Sequence, residues 1–323
     1  MGEFDLIRRY FARESLSDPS VYLGIGDDCA LLCPPAGQLL AVSIDTLVEG
    51  VHFLPGTPGD KVASRLLCAA VSDLAAMAAT PAWFTLALSM PSFDQDWLEP
   101  FAACLAETAR GLGIQLVGGD TTRGPLTLSV QVHGFVEPDL ALKRSGAQVG
   151  DIIAVTGYLG ESKGGLESLL KNEPDTSSIA HLRQRFYAPT PRVELARALA
   201  PFAHSAIDIS DGFLADLKHI LDASQVGARI DTDAILLSQE LLAFAGSPAL
   251  ARQWALTGGE DFELCLTLPS EHWAQCQRTA QALSIPLTCV GVITETPALT
   301  VYENGHQVHY THDGYDHFRS SNG

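Results

Sequence analysis

Gly24-Ile25-Gly26-Asp27-Asp28-Cys29-Ala30 is the stretch from which the rest of the chain can be read. Two adjacent aspartates behind a Gly-x-Gly repel each other. Keeping both ionised at close range costs free energy unless water, a cation or hydrogen-bond donors surround them. The pair is therefore either solvent-exposed or part of a cation site. Repetition favours the cation. The same device recurs as Ser43-Ile44-Asp45-Thr46, Ser72-Asp73, Gly118-Gly119-Asp120-Thr121-Thr122, Asp208-Ile209-Ser210-Asp211-Gly212 and Gly258-Gly259-Glu260-Asp261. Most of these acids end or interrupt an apolar run, where a solvated loop would carry Lys, Glu and Pro.

With 323 residues, 46% of them hydrophobic, and no biased tract, the chain has material for two domains with substantial cores. The net charge of −18 comes from 20 Lys and Arg against 38 Asp and Glu. It argues against a nucleic-acid partner, because no basic cluster could track a phosphate backbone. Acid in excess serves solubility, or it holds metal ions through which an anionic phosphate substrate can bind. The seven cysteines are scattered and mostly set in apolar segments, which reads as buried thiols in a reducing compartment. Cys29 and Cys33 have the spacing of half a zinc site, without a second pair to complete it. No secretory leader and no apolar run of about 18 residues is evident, so a cytoplasmic protein without membrane contact is expected.

Along the chain, residues 3–14 form an amphipathic pattern with Phe4, Ile7, Tyr10 and Phe11 on one face. Leu39 to Asp45 reads as a buried strand that delivers Asp45 at its end. An Ala-rich helix from about Asp60 to Ala79, capped by Asp60, carries Asp73 among Val71, Leu74 and Met77. An acid there needs a partner; it is a helix-packing or capping feature, or a functional carboxylate. Strand-like Trp83 to Met90, a helix over 97–112, a short strand Ile114 to Val117 ending at Asp120, and the alternating strand Leu126 to Val136 complete an α+β layer. Its sheet has one face to hide, a candidate dimer surface. Residues 138–150 resemble a crossover, in which Lys143-Arg144 is either a solvated pair or a phosphate fork.

The second half alternates strands and helices, with expected strands at 151–155, 206–209, 228–230, 262–268 and 287–293 and an Asn304-Gly305 hairpin turn. Ser210 and Asp211 have the residue types of helix N-caps, which would leave Asp208 unexplained. The resulting division is 1–140 and 141–323.

Several chemistries fall away. The phosphate-binding Gly-x-x-x-x-Gly-Lys-[Ser/Thr] loop, the third glycine of the dinucleotide fingerprint, the protein-kinase signatures and Gly-x-Ser-x-Gly are all missing. What remains is a set of hard oxygen ligands on many turns, suited to Mg²⁺ and phosphates. Asp28, Asp45, Asp73, Asp120 and Asp208 could act through such ions in phosphoryl transfer.

These motifs, together with Asp45-Thr-Leu-Val-Glu-Gly-Val-His-Phe, Arg144-Ser-Gly-Ala, Gly-Gly-Glu-Asp-Phe-Glu-Leu and Gly-Tyr-Asp-His-Phe, closely resemble the thiamine-monophosphate kinase family. That family lies within a wider group similar to aminoimidazole ribonucleotide synthetase, and the likeness runs in order along nearly the whole chain. It implies a two-domain α+β fold, with an N-terminal metal- and ATP-binding domain that dimerises through its sheet. A C-terminal α/β domain would complete the active-site cleft. It implies transfer of the γ-phosphoryl of ATP to thiamine monophosphate, giving thiamine diphosphate and ADP, with several Mg²⁺ ions and a homodimer. Matched position by position, Asp28, Ser43, Ile44, Asp45, Asp73, Asp120, Asp208 and Asp211 correspond to metal ligands. Gly119, Asp120, Arg144 and Ser210 correspond to ATP contacts, and His52, Glu260 and Tyr315 to substrate contacts. Ile44 stands where the family often has a hydroxyl residue, so a contact there would use its carbonyl. A different ATP-dependent enzyme of the wider group, or a non-catalytic nucleotide or metal sensor, are the competing readings. The acceptor-site residues favour the kinase.

Overall fold

The computed structural model describes residues 3–12 and 18–310. The tail motif with Tyr315 lies outside these residues, so no placement is given for it. The chain divides into two compact units, Met1–Ala141 and Leu142–Gly323.

The first unit contains α1 (Glu3–Tyr10), β1 (Val21–Leu23), β2 (Leu31–Leu32), β3 (Leu39–Val48), α2 (Gly59–Ala76), β4 (Thr80–Met90), α3 (Gln95–Leu112), β5 (Gln115–Arg123) and β6 (Thr127–Val136). Four strands form one sheet in the order β3-β6-β4-β5, antiparallel except for the β4–β5 pair, which α3 connects as a crossover. Alternation along the strands assigns the faces. Leu128, Val130, Val132, Phe84, Leu86 and Leu88 are buried on the side of α2, a helix packed against both the sheet and α3. Its alanines permit that close approach. At Gly59 an added Cβ would stand 2.2 Å from the Trp97 carbonyl of α3, so only glycine fits the crossing. The opposite face holds Trp83, Phe135, Ala82 and Val117, partly covered by Val21, Ala30 and Leu32 of the β1–β2 hairpin. Trp83 Nε1 donates to Ser20 Oγ at 2.9 Å and ties that hairpin down.

Three expectations need correcting. Asp60 is not the cap of α2: Pro58 holds that position without a side-chain bond, and Asp60 lies in the first turn, where an acid still complements the helix dipole. The strand from Leu39 is not buried on both sides, since Leu39, Leu40, Val42 and Ile44 are exposed at the sheet edge. Strand β5 does not stop at Val117 but continues through Asp120 to Arg123, pairing Gly119 with Leu86 and Asp120 with Ala87.

The second unit contains β7 (Ile152–Thr156), α4 (Glu161–Leu170), α5 (Ser177–Tyr187), α6 (Val193–Leu199), β8 (Ser205–Asp208), α7 (Phe213–Ser224), β9 (Gly227–Asp231), α8 (Gln239–Ala245), α9 (Pro248–Thr257), β10 (Leu264–Leu268), α10 (Trp273–Ala282), β11 (Leu287–Thr294), β12 (Leu299–Glu303) and β13 (His306–Val308). Its seven strands run β13-β12-β9-β11-β7-β10-β8. Only β9–β12 is parallel, so the expected α/β domain is a mixed and mainly antiparallel sheet. Ile153, Val155, Ile207, Phe213, Leu217, Ile220 and Ile230 join one core beneath α7. Asn304 and Gly305, both at positive φ, make the hairpin turn that their types predict. No described helix is long and apolar enough to cross a membrane.

Candidate active site

In the first unit the acidic turns fall on both faces of one sheet. Ser43, Asp45 and Leu47 alternate toward α2, and Ser43 Oγ donates to Asp73 Oδ2 on that helix. The half-buried Asp73 therefore has the partner its apolar surroundings require. Asp45 shares its register row with Val130, Leu86 and Gly119. Ile44 points the other way and is 62% exposed, so its side chain offers nothing to the Ser43–Asp45–Asp73 side.

Asp120 lies in the row of Thr46, Ser129 and Ala87, on the face turned away from α2. There the Gly24–Ala30 loop between β1 and β2 faces Leu116–Thr121 of β5 across a cavity of about 830 Å³. Asp27, Asp28 and Asp120 all line it. Arg8 lines it too, but its guanidinium is paired with Asp5 at 2.6 Å. Gly119 holds φ at +154°, and a Cβ there would stand 1.9 Å from the Leu86 carbonyl, which explains the glycine and brings β5 backbone to the wall. The two sets, Asp27–Asp28–Asp120 and Ser43–Asp45–Asp73, thus occupy opposite faces of the sheet.

His52 follows β3, and its Nδ1 accepts the Val48 N–H at 3.0 Å. In the neutral ring the proton is then on Nε2, which becomes a donor.

In the second unit two turns are laced together. Asp208 ends β8 and is buried; Ile209 N–H donates to the Glu263 carbonyl at 2.8 Å, and Phe262 N–H to the Ile209 carbonyl at 2.9 Å. Glu260 N–H donates to the Ser210 carbonyl at 2.7 Å, with Glu260 itself in the left-handed region at φ 63°. A non-glycine residue tolerates that conformation when its surroundings hold it, and such positions collect at functional sites. Ser210 and Asp211 are not the caps of α7. Gly212 holds the cap position without a side-chain bond, and the N–H groups of Ser210, Asp211 and Gly212 donate instead to Asp216 Oδ2. Burial pushes Asp216 up to about 7, against those three donors. Arg144 is exposed, and its carbonyl accepts from Ser224 Oγ, which pins the Lys143–Ala147 segment to the end of α7.

Asp216 escapes the sequence reading, and Asp261 enters it only within its motif, without a role of its own. Asp216 and Asp261 both accept backbone N–H groups, Asp261 from Gly160 at 2.7 Å and Ser162 at 3.2 Å at the start of α4. The only signal at Asp216 is an acid set between apolar residues, Leu214-Ala215-Asp216-Leu217. The cysteines are all free; Cys68, Cys265 and Cys276 are buried, whereas Cys29, Cys33 and Cys289 are exposed, against the expectation of mostly buried thiols.

As to metal, the only described group of three or more His, Cys, Asp or Glu with ligand atoms within 4.8 Å of one another is Glu161, His181 and Glu240; Glu161 opens α4 beside the Asp261 turn, and none of Asp28, Asp45, Asp73, Asp120, Asp208 and Asp211 belongs to the group. The turns therefore form no closed protein cage. That suits Mg²⁺, which takes one or two carboxylates and completes its shell with water and substrate phosphates.

The chain matches the family models for AIR synthase related protein, N-terminal domain, over residues 26–136 and C-terminal domain over 148–304. It is 46% identical over 321 residues to thiamine-monophosphate kinase of Escherichia coli K12, covering 98% of each chain. The crystal structure of thiamine-monophosphate kinase from Stenotrophomonas maltophilia K279a is 42% identical and superposes with a TM-score of 0.88, over 95% of this chain and 98% of that one. The complex of AaThiL with AMPPCP and TMP is 29% identical, with a TM-score of 0.79 over 98% and 96%. On these grounds the chain belongs to the thiamine-monophosphate kinase family, within the AIR synthase related proteins.

Proposed function

We infer that this chain is a thiamine-phosphate kinase, which moves the γ-phosphoryl of ATP onto the phosphate of thiamine monophosphate and releases ADP and thiamine diphosphate. The observation that carries the reading to chemistry is the cavity where Asp27, Asp28 and Asp120 meet Gly119 backbone. Three acids gathered round one cavity, on the loop and on the strand facing it, favour cations and through them phosphates.

Mg²⁺, when bound, neutralises charge on the moving group and leaving oxygen. The protein's part is placement. We propose Asp28 and Asp120 as ligands at the cavity, with Ser43, the Ile44 carbonyl, Asp45 and Asp73 as further ligands on the α2 side. From the second unit we propose Asp208 and Asp211 as ligands, and Arg144 and Ser210 as ATP contacts alongside Gly119. His52, through Nε2–H, and Glu260 suit thiamine monophosphate, a phosphate ester with a cationic ring; Tyr315 is proposed to stack on that compound. The acceptor phosphate oxygen is already anionic near neutral pH, so no general base is assigned and positioning dominates.

A homodimer is proposed through the first unit's sheet, on the strength of the exposed Leu40, Val42 and Ile44 along its edge strand. The reaction is placed in the cytoplasm, where free thiols persist.

The test is incubation of the purified protein with ATP, Mg²⁺ and thiamine monophosphate, followed by separation of products. ADP and thiamine diphosphate are expected in equal amounts, and Asp120→Asn or Asp45→Asn should abolish both. ATP turnover with the thiamine compound unchanged would refute the assignment.

A further inference from the structure

The turn Ser210-Asp211-Gly212 offers three successive N–H groups, and all three converge on one atom. Asp216 Oδ2 accepts them at 3.0, 3.0 and 3.1 Å. Three N–H groups pointing to one spot would otherwise form an anion-binding concavity. Here the chain's own carboxylate fills it, so those three N–H groups serve to hold the turn and are not offered to a ligand.

The carboxylate is well anchored. Asp216 is buried on α7, whose Phe213, Leu214, Leu217 and Ile220 are all fully buried in the second unit's core. The rest of the turn is held by backbone. Glu260 N–H bonds the Ser210 carbonyl, Gly212 at φ 114° abuts Thr257, and a Cβ on Gly259 would meet the Ser210 carbonyl at 2.6 Å. The core therefore fixes α7, α7 fixes Asp216, and Asp216 fixes the turn.

We propose that Asp216 is a positioning residue for the kinase reaction: through three backbone bonds it holds Ser210 and Asp211 in the geometry that receives ATP and its metal. The proposal rests on the assignment of Ser210 and Asp211 to the ATP site. A residue acting through backbone placement should change the affinity for the ligand of that turn more than for the other substrate.

Four variants and one control decide the matter. Asp216→Ala removes all three bonds and is expected to raise the ATP KM about tenfold or more, while the thiamine monophosphate KM changes by about threefold at most. Asp216→Asn keeps an acceptor oxygen and should restore the ATP KM to within about threefold of the unaltered protein. Ile220→Ala, on the same helix and clear of the turn, lowers the melting temperature by opening a cavity and should leave the ATP KM within about twofold. An Asp216→Ala protein whose ATP KM matches that of Ile220→Ala overturns the proposal. If Asp216→Ala does not fold, Asp216→Glu replaces it. The added methylene displaces the turn, and an unchanged ATP KM there overturns the proposal equally. Ser210→Ala with Asp211→Asn separates the two levels: if this double variant keeps full activity and ATP affinity, the site assignment itself fails, whatever Asp216 does.

Discussion

Replacing Gly119 by alanine puts one methyl group where the structure has no room. The ideal Cβ would stand 1.9 Å from the Leu86 carbonyl oxygen and 2.8 Å from its carbon, both backbone atoms of the neighbouring strand. Neither can turn aside as a side chain can, so β5 must move away from β4 by about 1 Å or more to restore ordinary contact. Overpacking of this kind costs about 1–3 kcal/mol. The backbone at φ 154°, a region L residues rarely adopt, adds about 1 kcal/mol or more. The sum, about 2–4 kcal/mol, corresponds to a fall in melting temperature on the order of 10 °C for a unit of this size.

Asp120 is the next residue and moves with the strand, so kcat/KM should fall about a hundredfold, the scale for a misplacement of about 1 Å. The Mg²⁺ concentration for half-maximal rate should rise with it. Gly118→Ala is the control, because the nearest atom to its Cβ is Thr85 Cγ2 at 4.0 Å and it has no positive φ. That variant should stay within about 0.5 kcal/mol of the parent. Calorimetry and the coupled kinase assay on both proteins suffice. If Gly119→Ala melts and turns over like Gly118→Ala, the close approach of β5 to β4 is not what positions Asp120, and the reasoning is refuted.

Ser43→Ala removes the hydroxyl that donates to Asp73 Oδ2 and should cost about 1–2 kcal/mol in chemical denaturation, with a raised Mg²⁺ requirement. For the proposed dimer, the parent should sediment as a dimer and Val42→Glu, on the exposed edge strand, as a monomer, without changing its melting by more than about 0.5 kcal/mol; a monomeric parent or a dimeric variant would refute an interface there. For Asp261, burial raises the carboxyl to about 8, against the Gly160 and Ser162 N–H groups and Arg185. The folded state therefore holds an extra proton above the unfolded value of about 4, so this contribution is complete below about pH 4 and is lost as pH rises through about 8. Asp261→Asn should remove that slope, so that between pH 5 and 8.5 its stability changes by at least about 1 kcal/mol less in that direction than the parent's; identical slopes in calorimetry would exclude the shift.

The motifs were legible because their chemistry is local. Repeated Asp beside Gly at the ends of apolar runs needs no tertiary information to suggest cations. The helices α2 and α3 and the hairpin at Asn304-Gly305 follow from period and turn type. What period cannot tell is which face of a strand is covered. Leu40, Val42 and Ile44 alternate with Ser43 and Asp45, and the apolar members turn out to be exposed while Ser43 and Asp45 face α2. Nor can local rules see Gly118-Gly119 inside a strand, since paired glycines signal a turn until a neighbouring backbone explains them. The tertiary partner, Leu86, is 33 residues away in sequence by subtraction from Gly119.

The acids of this chain sort by what they accept. Asp216 and Asp261 are buried and take backbone N–H groups, while Glu263 is buried and takes Arg185, Arg192 and the Thr156 hydroxyl. Each is satisfied within the protein, and removing such partners leaves a buried polar group unpaired. Asp28 and Asp120 are exposed and line one cavity. Sequence treats both kinds alike, as Asp near Gly. The structure separates them, because a carboxylate already satisfied by its own backbone positions a turn, whereas one facing a cavity beside other acids keeps its charge for a ligand. In the Asp208–Gly212 turn Asp216 absorbs the N–H groups of Ser210, Asp211 and Gly212, so one buried carboxylate sets the path of the backbone that carries the other acids.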